Sequence, residues 1–251
     1  MKSELLLSIP TIQMPSIKKY EINKKDEKII SLKEKGIQVS SQYYQQQIEG
    51  SYKDCYARQT VAEMLLKVNK ILEKQGLELL VYDGYRPICI QQNLWDKYRK
   101  ELREKNPNIS EKELDFKTSF FVSKPSLNVK LPSLHNTGGA IDVTLIDIKT
   151  KQPLNMGTQF DDFGDKAWTN YYEIHELNSE DQIIQKNRRI LYNAMKEVGF
   201  TNLPSEWWHY DYGTKFWAYF NQTDALYEGI LDIDFSDRLF TQNEIDQIER
   251  E

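Results

Sequence analysis

The stretch Ser133–Ile148, SLHNTGGAIDVTLIDI, decides how this chain is read. Its second half alternates. Ile141, Val143 and Leu145 fall on one side of an extended chain, with Asp142 and Thr144 on the other, the pattern of a strand with one face in a core. Its first half is a loop, in which Gly138 and Gly139 follow His135 and permit a turn closed to bulkier residues. The strand therefore presents a carboxylate away from its apolar face, and the loop can return an imidazole to it.

Outward from this strand the elements are mixed. Val61, Met64, Leu65, Val68, Ile71 and Leu72 recur at helical spacing, predicting a helix over Arg58–Gln75 with Gly76 as its left-handed cap. LELLVYD, residues 77–83, reads as a buried strand ending in GYRP. A second helix is expected from Pro87 as a first-turn residue, with Leu94, Trp95, Tyr98 and Leu102 on one face. Residues 105–130 lack periodicity and read as a long excursion. A third helix is expected over Glu180–Val198, opened by a capping box of Ser179 with Gln182 and closed by Gly199. EWWHYDY, residues 206–212, is a third strand candidate. Residues 13–50 are polar and charge-dense, suited to surface loops with a strand or two. With no internal repeat and no low-complexity linker, residues 1–251 are expected to form one α+β domain, helices packed on a small, mainly antiparallel sheet.

Composition narrows the function classes. A formal net charge of -5 argues against a nucleic-acid binder, whose affinity rests on basic residues neutralising phosphates. No run approaches the roughly 20 apolar residues of a membrane span. The N-terminal MKSELLLSIPTIQ has too short an apolar run for a signal peptide, so a cytoplasmic location is expected. Cys55 and Cys89 make no disulfide framework and are expected to be two buried, inert thiols. The sequence carries no signal for oligomeric state.

Histidine is scarce, with three in 251 residues. His135 and Asp142 offer nitrogen and oxygen donors that suit zinc, and a catalytic zinc needs three protein ligands and an open position. His209 is the natural third. Glu206, three residues before it, would face the other way on a regular strand. To share the site it must precede the pleat, and Pro204 and Ser205 make a bend there plausible. A glutamate beside the metal can accept a proton from zinc-bound water, whose pKa falls to about 7. Trp207 and Trp208 would then wall the site. Arg86, held extended before Pro87, projects a planar fork suited to an oxyanion. Each feature has an ordinary alternative: a lone His-x6-Asp is weak, EWWH can be a packed aromatic strand, and Arg86 can be a solvated turn residue. His175 has no comparable partners and reads as a structural or surface residue.

YDGYRP, SLHNTGGAID, MGTQFD and EWWHY, in this order, resemble the zinc D-alanyl-D-alanine dipeptidases of the VanX type. That family shares a Hedgehog/DD-peptidase-like fold with D,D-carboxypeptidases, peptidoglycan endopeptidases and the Hedgehog signalling domain. The resemblance runs from about Cys55 to Tyr212. It implies zinc on His135, Asp142 and His209, Glu206 as general base, and Arg86 as stabiliser of the tetrahedral intermediate. It further implies Asp161 as receptor for the dipeptide's ammonium group and Ser133 as a contact of its carboxylate. The implied reaction is hydrolysis of D-Ala-D-Ala or a similar short D-containing dipeptide. A D,D-carboxypeptidase or endopeptidase of the same fold, and a noncatalytic zinc-binding recognition module, are the alternatives. Leu134 departs from the family, which often has a small polar residue there. The first forty or so residues match weakly and offer no counterpart for a substrate-contacting tyrosine. The tail over residues 221–251 carries no functional signal, and an extra helix or an oligomer contact are the forms open to it.

Overall fold

The computed structural model describes residues 6–13, 20–23, 25–119, 121–162 and 164–231. The chain begins with strands β1 (Ile29–Ser31) and β2 (Gln38–Val39), the one-turn helix α1 (Gln42–Gln45) and β3 (Tyr56–Arg58). Helix α2 (Gln59–Leu72), strand β4 (Leu77–Asp83), and helices α3 (Ile88–Lys105) and α4 (Glu111–Thr118) follow. After strand β5 (Ala140–Asp147) come helices α5 (Tyr171–Ile174) and α6 (Ser179–Val198). The described part closes with strands β6 (Thr201–Asn202) and β7 (His209–Asp211) and helix α7 (Lys215–Asn221).

Five strands form the main sheet in the order β2-β4-β5-β7-β6. Only β2 and β4 run parallel, so the sheet is mainly antiparallel, as the α+β reading expects. One face is the core. Leu79 and Val81 of β4 stand beside Leu145 and Val143 of β5, in one apolar cluster with Leu65 of α2 and Leu191 of α6. The buried Asn69 of α2 ties that helix to the sheet by accepting the Leu79 N–H at 2.8 Å.

The opposite face is polar near the strand ends, and a local irregularity makes it more so. Pairing passes from Val81↔Val143 to Asp83↔Asp142, so two residues of β4 oppose one of β5. This bulge reverses the phase of the strand. Asp83, which strict alternation would send into the core, lies on the same face as Asp142. On the other side of β5, Asp142 stands directly opposite His209 and Ala140 opposite Asp211.

Several expectations are corrected. The excursion over 105–130 contains α4, whose cap is the Ser110 side chain accepting from Glu113 N–H. Only Leu114 and Thr118 of that helix are buried, too few to print a periodic signal. Helix α6 starts one residue earlier than expected. Its capping box is Asn178 with Asp181, because the Asn178 side-chain Oδ1, not the Ser179 hydroxyl, accepts from the first free N–H groups. Pro87 is the residue before the first turn of α3 rather than within it. The third strand is only His209–Asp211, with Glu206 to Trp208 in the preceding turn. Cys55 is buried as expected, but Cys89 is exposed on α3. Residues 222–231 contain no helix and return along the molecule, pairing Ala225 with Ile22. Residues 232–251, where the extra helix or oligomer contact was open, lie outside the described residues. Among the described residues no helix is long and apolar enough to cross a membrane.

Leu65 is fully enclosed between α2 and the sheet. Leu65→Ala is expected to lower the unfolding free energy by about 2–5 kcal/mol. Urea titration of the two proteins measures it, and a loss under about 1 kcal/mol contradicts this packing.

Candidate active site

His135 opens a short 3-10 turn, His135–Thr137, that ends in left-handed Gly138 at φ 71°. The left-handed angle is what calls for glycine at 138, and a Cβ there would also push the end of the Ile29 side chain aside. The turn returns His135 to the sheet. Its Nδ1 donates to the Gly84 carbonyl at 2.9 Å, with the Asp83 carboxyl 3.3 Å away. That leaves the Nε2 lone pair facing Asp142.

His209 is oriented by the same logic from the other ring atom. Its Nε2 lies 3.0 Å from Asp211 Oδ2, and Thr214 Oγ1 donates to Asp211 Oδ1 at 2.8 Å. With the proton on Nε2, the Nδ1 lone pair faces inward. A carboxyl or carbonyl behind each imidazole is the usual support of a metal-ligating histidine.

The inward atoms of the three residues cluster closely, one Asp142 oxygen toward each imidazole, and one ligand atom from each residue can be chosen with all three within 4.8 Å of one another. His135 Nε2 and His209 Nδ1 are 3.1 Å apart, Asp142 Oδ1 is 3.1 Å from His209 Nδ1, and Asp142 Oδ2 is 3.4 Å from His135 Nε2. All three residues are buried. Asp142 Oδ1 has no hydrogen-bond partner among the described residues. A tetrahedral ion with bonds of about 2.0–2.1 Å places its ligand atoms roughly 3.3 Å apart. The donor set, its spacing and the orphaned oxygen therefore fit a zinc ion.

Two further groups flank the triangle. Glu206 stands in the turn before β7, its Oε2 3.8 Å from His209 Nδ1, so the bend that the odd spacing demands is present. Burial pushes its pKa up to about 8, against the pull of His209 and with the push of Asp142 and Asp161. Arg86 approaches Asp142 Oδ2 at 3.7 Å through Nη2. The buried Asp83 carboxyl accepts from Arg86 Nε at 2.9 Å, Gln91 Oε1 from Nη1 at 3.0 Å, and Tyr43 Oη from Nη2 at 3.0 Å. Burial works against its charge, but Tyr43, Asp83 and Asp142 outweigh that and hold the guanidinium protonated.

A cavity of about 340 Å³ opens over these residues. Ser133, Leu134, Asp161 and Tyr43 line it together with the triangle, Glu206 and Arg86. Asp161 has a left-handed backbone, φ 59°, and burial pushes its pKa up to about 7 despite Arg86. All seven candidate residues thus meet at one cavity. His175 is exposed and stacks on Tyr171 with ring centroids 4.0 Å apart, away from the site. Trp207 and Trp208 do not line the cavity, contrary to expectation. The turn sends both rings into the core, where Trp208 backs the lining ring of Phe160 at 5.6 Å.

Tyr43, Gln91, Asp83 and Asp211 are additions that sequence reading missed. Asp211 carried a usable signal, since a residue two after His209 on a strand shares its face. Tyr43 stands in the weakly patterned N-terminal region, and the bulge hides the facing of Asp83.

The family model described as D-ala-D-ala dipeptidase, peptidase M15, matches residues 37–225. The chain belongs to this family. It is similar to the D-alanyl-D-alanine dipeptidase of Synechocystis, at 34% identity over 58% of this chain and 64% of that one. It is also similar to that of Enterococcus faecium, at 33% identity over 60% of this chain and 69% of that one. The chain thus spans about two thirds of the length of these curated dipeptidases. Among solved structures it is similar to "VanYB in complex with D-Alanine-D-Alanine", at 18% identity and a TM-score of 0.42, over 70% of this chain and 84% of that one.

Asp211 supports one imidazole of this dipeptidase-family site from behind. Asp211→Asn is expected to weaken zinc binding by about 10–100-fold. Competition with a chromophoric chelator reads the change, and an affinity within about twofold of the parent contradicts the support.

Proposed function

We propose that the protein is a zinc-dependent peptidase that hydrolyses D-Ala-D-Ala or a similar short D-containing dipeptide. The observation that carries this reading is the triangle of His135, Asp142 and His209 with Glu206 and Arg86 at its edge. A structural metal needs neither a flanking base nor a buried cation, so their presence favours catalysis over a recognition module. Membership of the dipeptidase family supports the same reaction class.

His135, Asp142 and His209 would hold the ion. When bound, zinc supplies Lewis acidity and makes water a stronger acid at neutral pH. The chain's own groups account for the rest. Glu206 takes the proton of the attacking water and returns it to the departing amine. Arg86 is fixed by Asp83, Gln91 and Tyr43 before substrate arrives, so its guanidinium can steady charge gathering on the carbonyl oxygen without rearranging.

Asp161 and Ser133 measure the substrate. A half-buried, desolvated carboxyl such as Asp161 becomes a comfortable anion once an ammonium group lies against it. A longer peptide, with no free ammonium at that point, leaves the carboxyl unpaired in a desolvated site, and is disfavoured. Ser133 would meet the carboxylate at the other end. Leu134 adds an apolar surface to the cavity wall.

One experiment tests both base and substrate. Purified protein loaded with zinc is assayed on D-Ala-D-Ala and on a stem pentapeptide ending in D-Ala-D-Ala, alongside Glu206→Gln. The expected outcome is preference for the dipeptide, and in the variant retained zinc with turnover lowered by about 10²–10⁴-fold. Preference for the pentapeptide would make the protein a carboxypeptidase. Undiminished turnover in Glu206→Gln would remove the base.

A further inference from the structure

The turn that carries His135 is held from three directions. Behind it, Arg58 donates from Nε to the Thr137 carbonyl at 2.8 Å, and its main-chain N–H reaches the Gly138 carbonyl at 2.9 Å. From the strand end, Arg86 N–H donates to the His135 carbonyl at 3.2 Å. The third hold comes from residues almost a hundred positions further on, in the 222–231 segment that the functional reading has not used.

Asn136 makes that connection, and it is buried. Its Nδ2 donates to the Ile230 carbonyl at 2.9 Å and to the Arg86 carbonyl at 3.3 Å. Its Oδ1 accepts the Ile230 N–H at 3.1 Å. One side-chain amide is thus paired on both sides with the Ile230 main chain and also touches the Arg86 main chain. Gly229 makes this approach possible. A Cβ there would stand 2.8 Å from Asn136 Oδ1 and 2.8 Å from the Pro132 ring.

The far end of the segment is anchored beside the other histidine. Leu226 N–H and Tyr227 N–H both donate to the Gly213 carbonyl, at 2.7 and 3.1 Å, just beyond β7. Tyr227 is fully enclosed, and its hydroxyl donates to Glu27 at 3.0 Å. Residues 225–230 therefore run from the exit of the His209 strand to the turn of His135.

We propose that Asn136 is a positioning residue through which the 225–230 segment braces His135 and Arg86 against the strand carrying His209, an inference that rests on the zinc reading of the site. Asn136 touches neither the ligand atoms nor the cavity. It ties the turn next to His135 to the Ile230 and Arg86 main chains, so its loss allows His135 Nε2 to wander from the point that Asp142 and His209 define. Direct supports of a metal ligand change affinity by about 10–100-fold when removed, and a brace acting through the backbone is expected at the lower end.

The test compares full-length wild type, Asn136→Ala, Gly229→Ala and the double variant. Three quantities are read: Zn2+ affinity by chelator competition, kcat and KM for D-Ala-D-Ala, and the thermal midpoint of the metal-free protein. Each single variant is expected to weaken Zn2+ binding by about 10-fold and to lower kcat more than it alters KM. The double variant should lose little more than the worse single, because both substitutions break one contact. Zn2+ affinity within about twofold of wild type, with only the metal-free midpoint lowered, would make Asn136 merely structural and overturn the proposal. Losses that multiply in the double variant would overturn the shared contact. If Asn136→Ala fails to fold, Gly229→Ala alone decides, since it disturbs the same pair from the other side. A wild type that takes up no Zn2+ would defeat the function reading itself, and the bracing role with it, whereas a zinc-binding wild type with unaffected variants defeats the bracing role only.

Discussion

Everything at this site follows from three electron-rich side chains held closer together than they would choose to be. His135 Nε2 and His209 Nδ1 lie 3.1 Å apart and face different oxygens of Asp142 at 3.4 and 3.1 Å, with the imidazole protons directed outward to Gly84 and Asp211. A buried carboxylate facing two lone pairs is unfavourable unless a cation stands among them. The scaffold spends several independent contacts to maintain that arrangement, and a divalent ion held there, as proposed, would stabilise it.

The sheet supplies the distances. Cross-strand register places Asp142 opposite His209, so two donors are set by backbone hydrogen bonding rather than by flexible loops. The bulge at the end of β4 adds Asp83 to the same face, where it supports both His135 and Arg86. The Asp161 loop has its own clamp: the buried Arg188 donates to the Met156, Lys166 and Trp168 carbonyls at 2.8, 2.6 and 2.7 Å, closing both ends of that loop. Burial, with no carboxylate partner among the described residues, draws the Arg188 pKa down to about 10. A guanidinium can hold several carbonyls at once in a way that no neutral side chain of similar size can.

How much of this was legible in the sequence depends on what each residue type reveals locally. His135 and His209 stood out because histidine is rare here, and Asp142 because it interrupts an apolar strand. The odd spacing of Glu206 and His209 correctly demanded a bend. Asp83 was hidden, since its facing is set by an irregularity in pairing that strand periodicity cannot express. Helix α4 buries two side chains and so leaves almost no pattern. Trp207 and Trp208 were misplaced because large aromatics suit a cavity wall and a core equally well, and only the turn geometry chooses. Asn136, Gly229 and Ile230 are meaningful only as a long-range contact, which no local pattern records.

The most direct test of the central claim is X-ray diffraction from crystals grown with zinc, with anomalous data collected on both sides of the zinc absorption edge. The account predicts a strong peak at about 2.0–2.2 Å from His135 Nε2, His209 Nδ1 and a carboxylate oxygen of Asp142, with a further position open toward Glu206. A peak held by other residues, or His135, Asp142 and His209 turned apart with no ion among them, would contradict it.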